Sequence, residues 1–231
     1  IASQASIEGN FYVYTTTGGK TVALDASTGE KIWEFQSGNK IFSAPFITEK
    51  MVYVSSTDGN IYALNRTSGT KVWEYETGYP VVASPLVVGD TLYVGSSNEK
   101  FHAVDALQGM GIWVSEGFPG YMESRPCADE KHIYTGGWEG RFWAIDRLSG
   151  RKVWEHNIGK GRYFSPGACW PVIAEGKIFV QSSDKVLRAY TPDGAIAWEN
   201  TSAQGRESMG LSADGETLYV KGTTDTFTAF D

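Results

Sequence analysis

Three histidines, two cysteines and a group of charged and aromatic residues between positions 121 and 210 are the parts of this sequence with chemical potential. His102, His132 and His156 stand apart from one another. None belongs to an HExxH motif or to an i,i+2 pair that grips a metal, so structural or surface histidines are expected. Cys127 and Cys169 fit no zinc spacing, and two cysteines do not make a disulfide framework. They read as a buried pair of free thiols, or as a bridge if their Cα atoms approach within about 7 Å. There is no Gly-x-Ser-x-Gly elbow to present a nucleophile. Gly159-Lys160-Gly161 lacks the further spacing of a phosphate loop and reads as a turn. Asn65-Arg66-Thr67 and Asn200-Thr201-Ser202 match the glycosylation sequon, a pattern frequent by chance. No nucleophile, general base or metal set emerges, and no catalytic residue is assigned.

One constellation differs from its surroundings. Ser43-Ala44-Pro45 and Ala83-Ser84-Pro85 are small and apolar. The corresponding later stretches are Tyr121-Met122-Glu123-Ser124-Arg125-Pro126-Cys127, Arg162-Tyr163-Phe164-Ser165-Pro166 with an insertion running to Cys169-Trp170, and Arg206-Glu207-Ser208. Charges of both signs beside aromatic rings suit a ligand or partner pocket. They equally suit a network of ion pairs. Glu123, Arg125, Arg162, Trp170, Arg206 and Glu207 are the candidates. Trp138, in Gly137-Trp138-Glu139-Gly140, joins them as an exposed contact residue or as a cover for the neighbouring repeat.

The elements that must position these residues follow from a repeated phrase. It reads Ala23-Leu24-Asp25…Gly29…Trp33, Ala63-Leu64-Asn65…Gly69…Trp73, Ala103-Val104-Asp105…Gly109…Trp113, Ala144-Ile145-Asp146…Gly150…Trp154 and Ala189-Tyr190…Gly194…Trp198. A sixth copy opens at Ala229-Phe230-Asp231. A period of about 40 residues marks a propeller or a solenoid. Each repeat splits into four short β-branched and aromatic runs separated by Gly, Asp, Asn and Ser. In the second repeat these are 42–47, 51–55, 61–65 and 71–76; in the third, 81–88, 91–95, 100–104 and 111–115. Such runs read as antiparallel strands joined by hairpins. No stretch keeps a helical period over three turns. The expected fold is therefore an all-β propeller of four-stranded antiparallel blades, a single domain over 1–231. Its blades are 1–38, 39–78, 79–118, 119–159, 160–203 and 204–231, five complete and the sixth with three strands. The first strand of each blade lines the central channel, which puts the candidate constellation at one channel mouth.

Composition narrows the partners. Of 231 residues, 41% are hydrophobic and 20% charged, ordinary values for a globular protein. The net charge is -7 and the Lys and Arg residues are not clustered, which argues against nucleic acid and anionic membrane. No apolar run approaches the roughly 18 residues of a membrane span. The sequence opens with no secretory leader pattern, so a cytosolic or an already processed chain is expected.

The Ala-x-Asp-x-x-x-Gly-x-x-x-Trp phrase resembles the tryptophan-docking motif of pyrroloquinoline-quinone-type propeller repeats, and the resemblance covers the whole chain. Three kinds of protein share that repeat: quinoprotein dehydrogenases, the outer-membrane assembly lipoprotein, and propeller domains attached to modules such as calcineurin-like phosphoesterases. The stretch from Arg206 to Ser212 resembles the last group. The dehydrogenase resemblance would imply an adjacent cysteine pair against the quinone, a catalytic aspartate and calcium-binding carboxylates. Here the cysteines lie far apart and no matching acidic motif occurs, so neither cofactor nor metal is expected.

The resemblance implies a non-enzymatic binding or assembly module, periplasmic or extracellular, with a protein or peptide partner and room for a small ligand at the channel mouth. A regulatory or substrate-positioning domain of a larger enzyme, such as a metallophosphoesterase, is the alternative; a quinoprotein dehydrogenase is the third reading. Five blades and three strands of a sixth also lead to the expectation of a longer propeller of seven or eight blades, with six blades closed by a three-stranded blade as the runner-up.

Overall fold

The computed structural model describes residues 4–159, 169–203, 205–222 and 226–230, with the backbone alone at 205–208. The chain divides into two compact units, Ile1–Glu116 and Gly117–Asp231. The first unit contains β1 (Ser6–Glu8), β2 (Phe11–Thr15), β3 (Lys20–Asp25), β4 (Lys31–Gln36), β5 (Phe46–Ile47), β6 (Met51–Ser55), β7 (Asn60–Asn65), β8 (Lys71–Glu76), β9 (Leu86–Val88), β10 (Thr91–Ser96), β11 (Lys100–Asp105) and β12 (Gly111–Glu116). The second contains β13 (Cys127–Ala128), β14 (His132–Gly137), β15 (Arg141–Asp146), β16 (Lys152–Asn157), β17 (Val172–Ala174), β18 (Lys177–Gln181), β19 (Leu187–Tyr190), β20 (Ile196–Asn200), β21 (Gly205–Leu211), β22 (Leu218–Gly222) and β23 (Phe227–Phe230). Strands adjacent in sequence pair antiparallel, giving five four-stranded sheets and a three-stranded one. No helix occurs among the described residues. These sheets are the blades of a β-propeller.

The middle strands carry the core. Val52, Tyr53 and Val54 on β6 and Ile61 to Leu64 on β7 are all buried, residue after residue. A strand buries consecutive side chains only when both sheet faces are covered, as they are between stacked blades. The alanine of each phrase, from Ala23 to Ala189, is completely buried.

The rest of the phrase joins one blade to the next. The Trp33 indole N–H donates to the Arg66 carbonyl at 2.7 Å, and its ring lies over Gly69. Trp73 repeats this on Ala106 O (3.0 Å) and Gly109, and Trp154 on Pro192 O (2.9 Å) and Gly194. The glycine is required twice over. Gly69 has a φ of +70, and a Cβ there would sit 2.6 Å from the Trp33 ring. The acid or amide of the phrase shapes the turn that presents this glycine. Asp25 Oδ1 accepts the Ser27 and Thr28 amides, both at 2.9 Å, and Asn65 Oδ1 does the same for Thr67 and Ser68 at 3.0 Å. The Ser27 hydroxyl first, and then the Thr28 amide, hold the Asp25 carboxyl at a pKa of about 2.

Each phrase also places a β-bulge. Ala23 pairs with Trp33 but Leu24 with Lys31, so Ile32 has no partner. The shift recurs after Ala63, Ala103, Ala144 and Ala189. The skipped residues Ile32, Val72, Ile112 and Val153 are accordingly 47–51% exposed although apolar.

The first strands are shorter than the sequence suggests. The run 42–47 pairs only as Phe46–Ile47, and 81–88 only as Leu86–Val88. Pro45 and Pro85 lack the N–H a ladder needs, and side chains take over before them. Ser43 Oγ donates to Ser55 O at 2.8 Å and accepts the Ser55 amide at 3.1 Å; Ser84 Oγ accepts the Ala44 amide at 2.8 Å. Glu123 and Arg125 therefore lie in a loop before β13 and not on a paired strand.

Two glycine substitutions test the inter-blade contact. Gly29 and Gly69 share a positive φ, but only Gly69 faces a ring. Gly29→Ala is expected to cost about 1 kcal/mol and Gly69→Ala about 2–4 kcal/mol, from backbone strain plus overpacking. Denaturant midpoints measure both, and equal losses would show that the Trp33 ring does not need the bare glycine.

Candidate functional site

Arg125 and Trp170 occupy the same place in consecutive repeats, each immediately before a proline, where earlier repeats have Ala44 and Ser84. The Arg125 guanidinium lies over the Trp170 ring, 4.6 Å from its centroid. Burial lowers the Arg125 pKa to about 10, which leaves it cationic at neutral pH. Two residues singled out by type thus meet across neighbouring blades of the second unit.

Several buried polar atoms lie in the same unit. Cys169 takes the position of Ser43, and its sulfur accepts the Gln181 amide at 3.5 Å as Ser43 accepts that of Ser55. Ser124 Oγ, both amide atoms of Gln181, Ser182 Oγ and Trp138 Nε1 are enclosed and make no hydrogen bond. An enclosed polar atom without a partner costs about 1–3 kcal/mol, so such atoms mark places for a water or a polar ligand atom. Among the described residues of the first unit, Thr21 Oγ1 and Ser55 Oγ are in this condition.

The remaining candidates are placed as follows. Glu123 is exposed, and so is Tyr121 beside it in the loop. Trp138 sits in the β14–β15 turn, half-buried, with its backbone N–H on the Tyr121 carbonyl at 3.0 Å. Arg162 lies outside the described residues. Arg206 and Glu207 lie on β21, where the description covers the backbone alone.

The histidines have structural partners. His102 is 3% exposed, with Nδ1 3.3 Å from the Tyr75 hydroxyl and Nε2 3.2 Å from Ser96 Oγ. Burial, helped by the Lys100 charge, lowers its pKa to about 4. His156 Nε2 reaches the Gly194 carbonyl at 2.8 Å, and its ring stacks on Tyr190. Sequence reasoning gave His132 no partner. In the fold its Nδ1 lies 3.3 Å from the Tyr134 hydroxyl, which donates to Asp129 Oδ2 at 2.6 Å. Burial alone would raise the Asp129 pKa; the Tyr134 hydroxyl and the His132 and Lys131 amides outweigh it and hold the carboxyl below its ordinary value. The available signal was the spacing Asp-x-x-His-x-Tyr, which matches no familiar motif.

The residues do not fit a quinone site. Cys127 and Cys169 form no disulfide and pack in one apolar cluster with Tyr134, Ile178 and Val180. Burial first, and then Cys169, push the Cys127 thiol well above its ordinary pKa. They belong to different blades and offer no adjacent pair. No group of three His, Cys, Asp or Glu side chains suited to a metal occurs among the described residues.

Five four-stranded meanders, each tied to a repeated alanine–tryptophan pair, define a β-propeller of PQQ-like repeats. The family model described as outer membrane protein assembly factor BamB matches residues 2–117 and again 112–231, and the chain belongs to this family. Among solved structures, BamB from Moraxella catarrhalis is similar at 21% identity with a TM-score of 0.79, over 97% of this chain and 70% of that one. The computationally designed Ika8 protein is similar at 11% identity with the same TM-score, over 99% and 70%. These two are likenesses of fold. No curated protein matches the chain.

The His102 environment has a consequence for pH. Its folded pKa of about 4 lies below the ordinary 6.5, so between those values the unfolded chain binds the extra proton. Stability should fall as pH drops from about 6.5 to about 4 and then level off, by on the order of 2–3 kcal/mol from this residue. Thermal unfolding of His102→Gln against the parent chain measures it; the variant should show a flatter slope over that window. Parallel slopes would show that His102 takes up its proton without penalty.

Proposed function

We propose that this propeller is a non-enzymatic, partner-binding module of the cell envelope, periplasmic or extracellular, that serves in protein assembly. Membership of a family described by an outer membrane protein assembly factor supports the role. The observation that carries the site is the Arg125–Trp170 stack, which stands where earlier repeats have the small pair Ala44 and Ser84. A half-desolvated guanidinium on a tryptophan is the combination that concentrates binding energy at protein interfaces. Glu123, Trp138, Arg162, Arg206 and Glu207 are proposed to complete the surface. The partner is a protein or peptide; the same residues have the chemistry for a small polar ligand. No cofactor takes part.

Arg125→Ala and Trp170→Ala are expected to weaken retention of an envelope partner at least tenfold, since such anchors are worth about 1.4 kcal/mol or more, while moving the unfolding midpoint little. Retention on the immobilised chain and calorimetric unfolding are measured side by side. A drop in stability with unchanged retention would make the stack a structural plug.

A further inference from the structure

A second cleft lies between consecutive blades of the same unit, beside the turns that join first to second and third to fourth strands. It has a volume of about 610 Å³ and is lined by Asp129, Glu130, Lys131, His132, Val153, Trp154, Pro192 and Asp193. The first unit contains its counterpart, a smaller cleft of about 400 Å³ whose wall includes Phe11, Asp25, Ile32 and Arg66. Arg66 donates from Nη1 to Glu8 Oε2 at 2.8 Å and from Nη2 to the Glu8 carbonyl at 3.3 Å, and its guanidinium lies 5.0 Å from the Phe11 ring centroid. The Arg66 carbonyl receives the Trp33 indole N–H.

Position by position, the second cleft repeats the first without its arginine. Phe11 pairs with Asp25 as His132 pairs with Asp146, so the His132 ring stands where the Phe11 ring stands. Glu8 and Asp129 each lie three residues earlier, and both are carboxylates. Trp33 and Trp154 each pair with the alanine of their blade. Arg66 lies three residues after Ala63, and Pro192 lies three after Ala189, its carbonyl likewise receiving the tryptophan N–H. The carboxylate and the ring that hold the guanidinium have counterparts in Asp129, whose oxygens also accept the Lys131 and His132 amides and the Tyr134 hydroxyl, and in the His132 imidazole, while a proline stands where the arginine was. The charged groups lining the cleft are Asp129, Glu130 and Asp193 against Lys131, and the Arg147 guanidinium lies beside them, donating from Nη1 to the Asp129 and Glu130 carbonyls at 2.8 and 3.2 Å, so the set stays negative by one charge. Val153 and Pro192 supply apolar surface for an aliphatic stem.

We propose that this cleft binds an arginine side chain presented by a partner polypeptide, in the place that Arg66 occupies internally. The guanidinium would pair with Asp129 and lie against the His132 ring, with its methylenes along Val153 and Pro192. This rests on reading the chain as a partner-binding module, but it concerns a surface other than the Arg125–Trp170 stack.

The test uses the whole chain, labelled with ¹⁵N, and two synthetic probes: acetyl-Gly-Arg-Gly-amide and the same peptide with neutral citrulline. The arginine peptide should shift the Trp154 indole and the His132 and Asp193 amide resonances saturably, and the citrulline peptide should not. The paired variant Glu130→Gln, Asp193→Asn should weaken binding about three- to tenfold, as loss of two rim charges does. Pro192→Arg introduces the residue found at the Arg66 position and should weaken the shifts at least tenfold by occupying the guanidinium site. Equal shifts from both peptides, or undiminished binding by Pro192→Arg in a folded chain, would overturn the proposal. Should Pro192→Arg fail to fold, the paired charge variant decides alone, and full affinity there would also overturn it. Partner retention that depends on Arg125 is read separately, so either site can fail without the other.

Discussion

The structure depends on a ring laid over a bare backbone. A tryptophan from the outer strand of one blade covers a glycine in the next blade's turn, and its N–H closes on a carbonyl of that turn. The contact unites burial of a large apolar ring with a directional bond, so it fixes both distance and register between blades. The other features of the phrase serve it. The Asp or Asn organises the turn, the glycine admits the ring, and the alanine opposite the tryptophan leaves room for close packing.

This explains which parts of the fold were legible in the sequence. The tryptophan contact needs particular residue types at fixed separations, so it wrote itself into the chain as a repeat. Blade count, strand order and the positions of β2 to β4 and their counterparts follow from it. The first strands were less legible. Their hydrogen bonds pass to Ser43 and Ser84 hydroxyls before each proline, and a run of β-formers does not reveal a bond supplied by a side chain forty residues away.

The candidate site was partly legible for the same reason. Arg125 and Trp170 stood out because the repeat supplies its own standard of comparison, and a large residue where earlier blades have Ala44 and Ser84 needs an explanation. Their stacking is a contact between blades, invisible without the fold. The cleft around His132 stayed hidden because its meaning lies in what Arg66 does in another blade and Pro192 cannot do.

The bulge beside each tryptophan has an effect beyond its own blade. The outer strands β4, β8, β12, β16 and β20 each end a sheet and leave one row of backbone donors and acceptors open. A regular open row is a template on which a foreign chain can grow as an added strand. Here each row is interrupted where Ile32, Val72, Ile112, Val153 or Ala197 is squeezed out of register, next to the residue that anchors the blade. The same covalent spacing that docks the tryptophan therefore spoils the outer edge as a seed for lateral fibre growth.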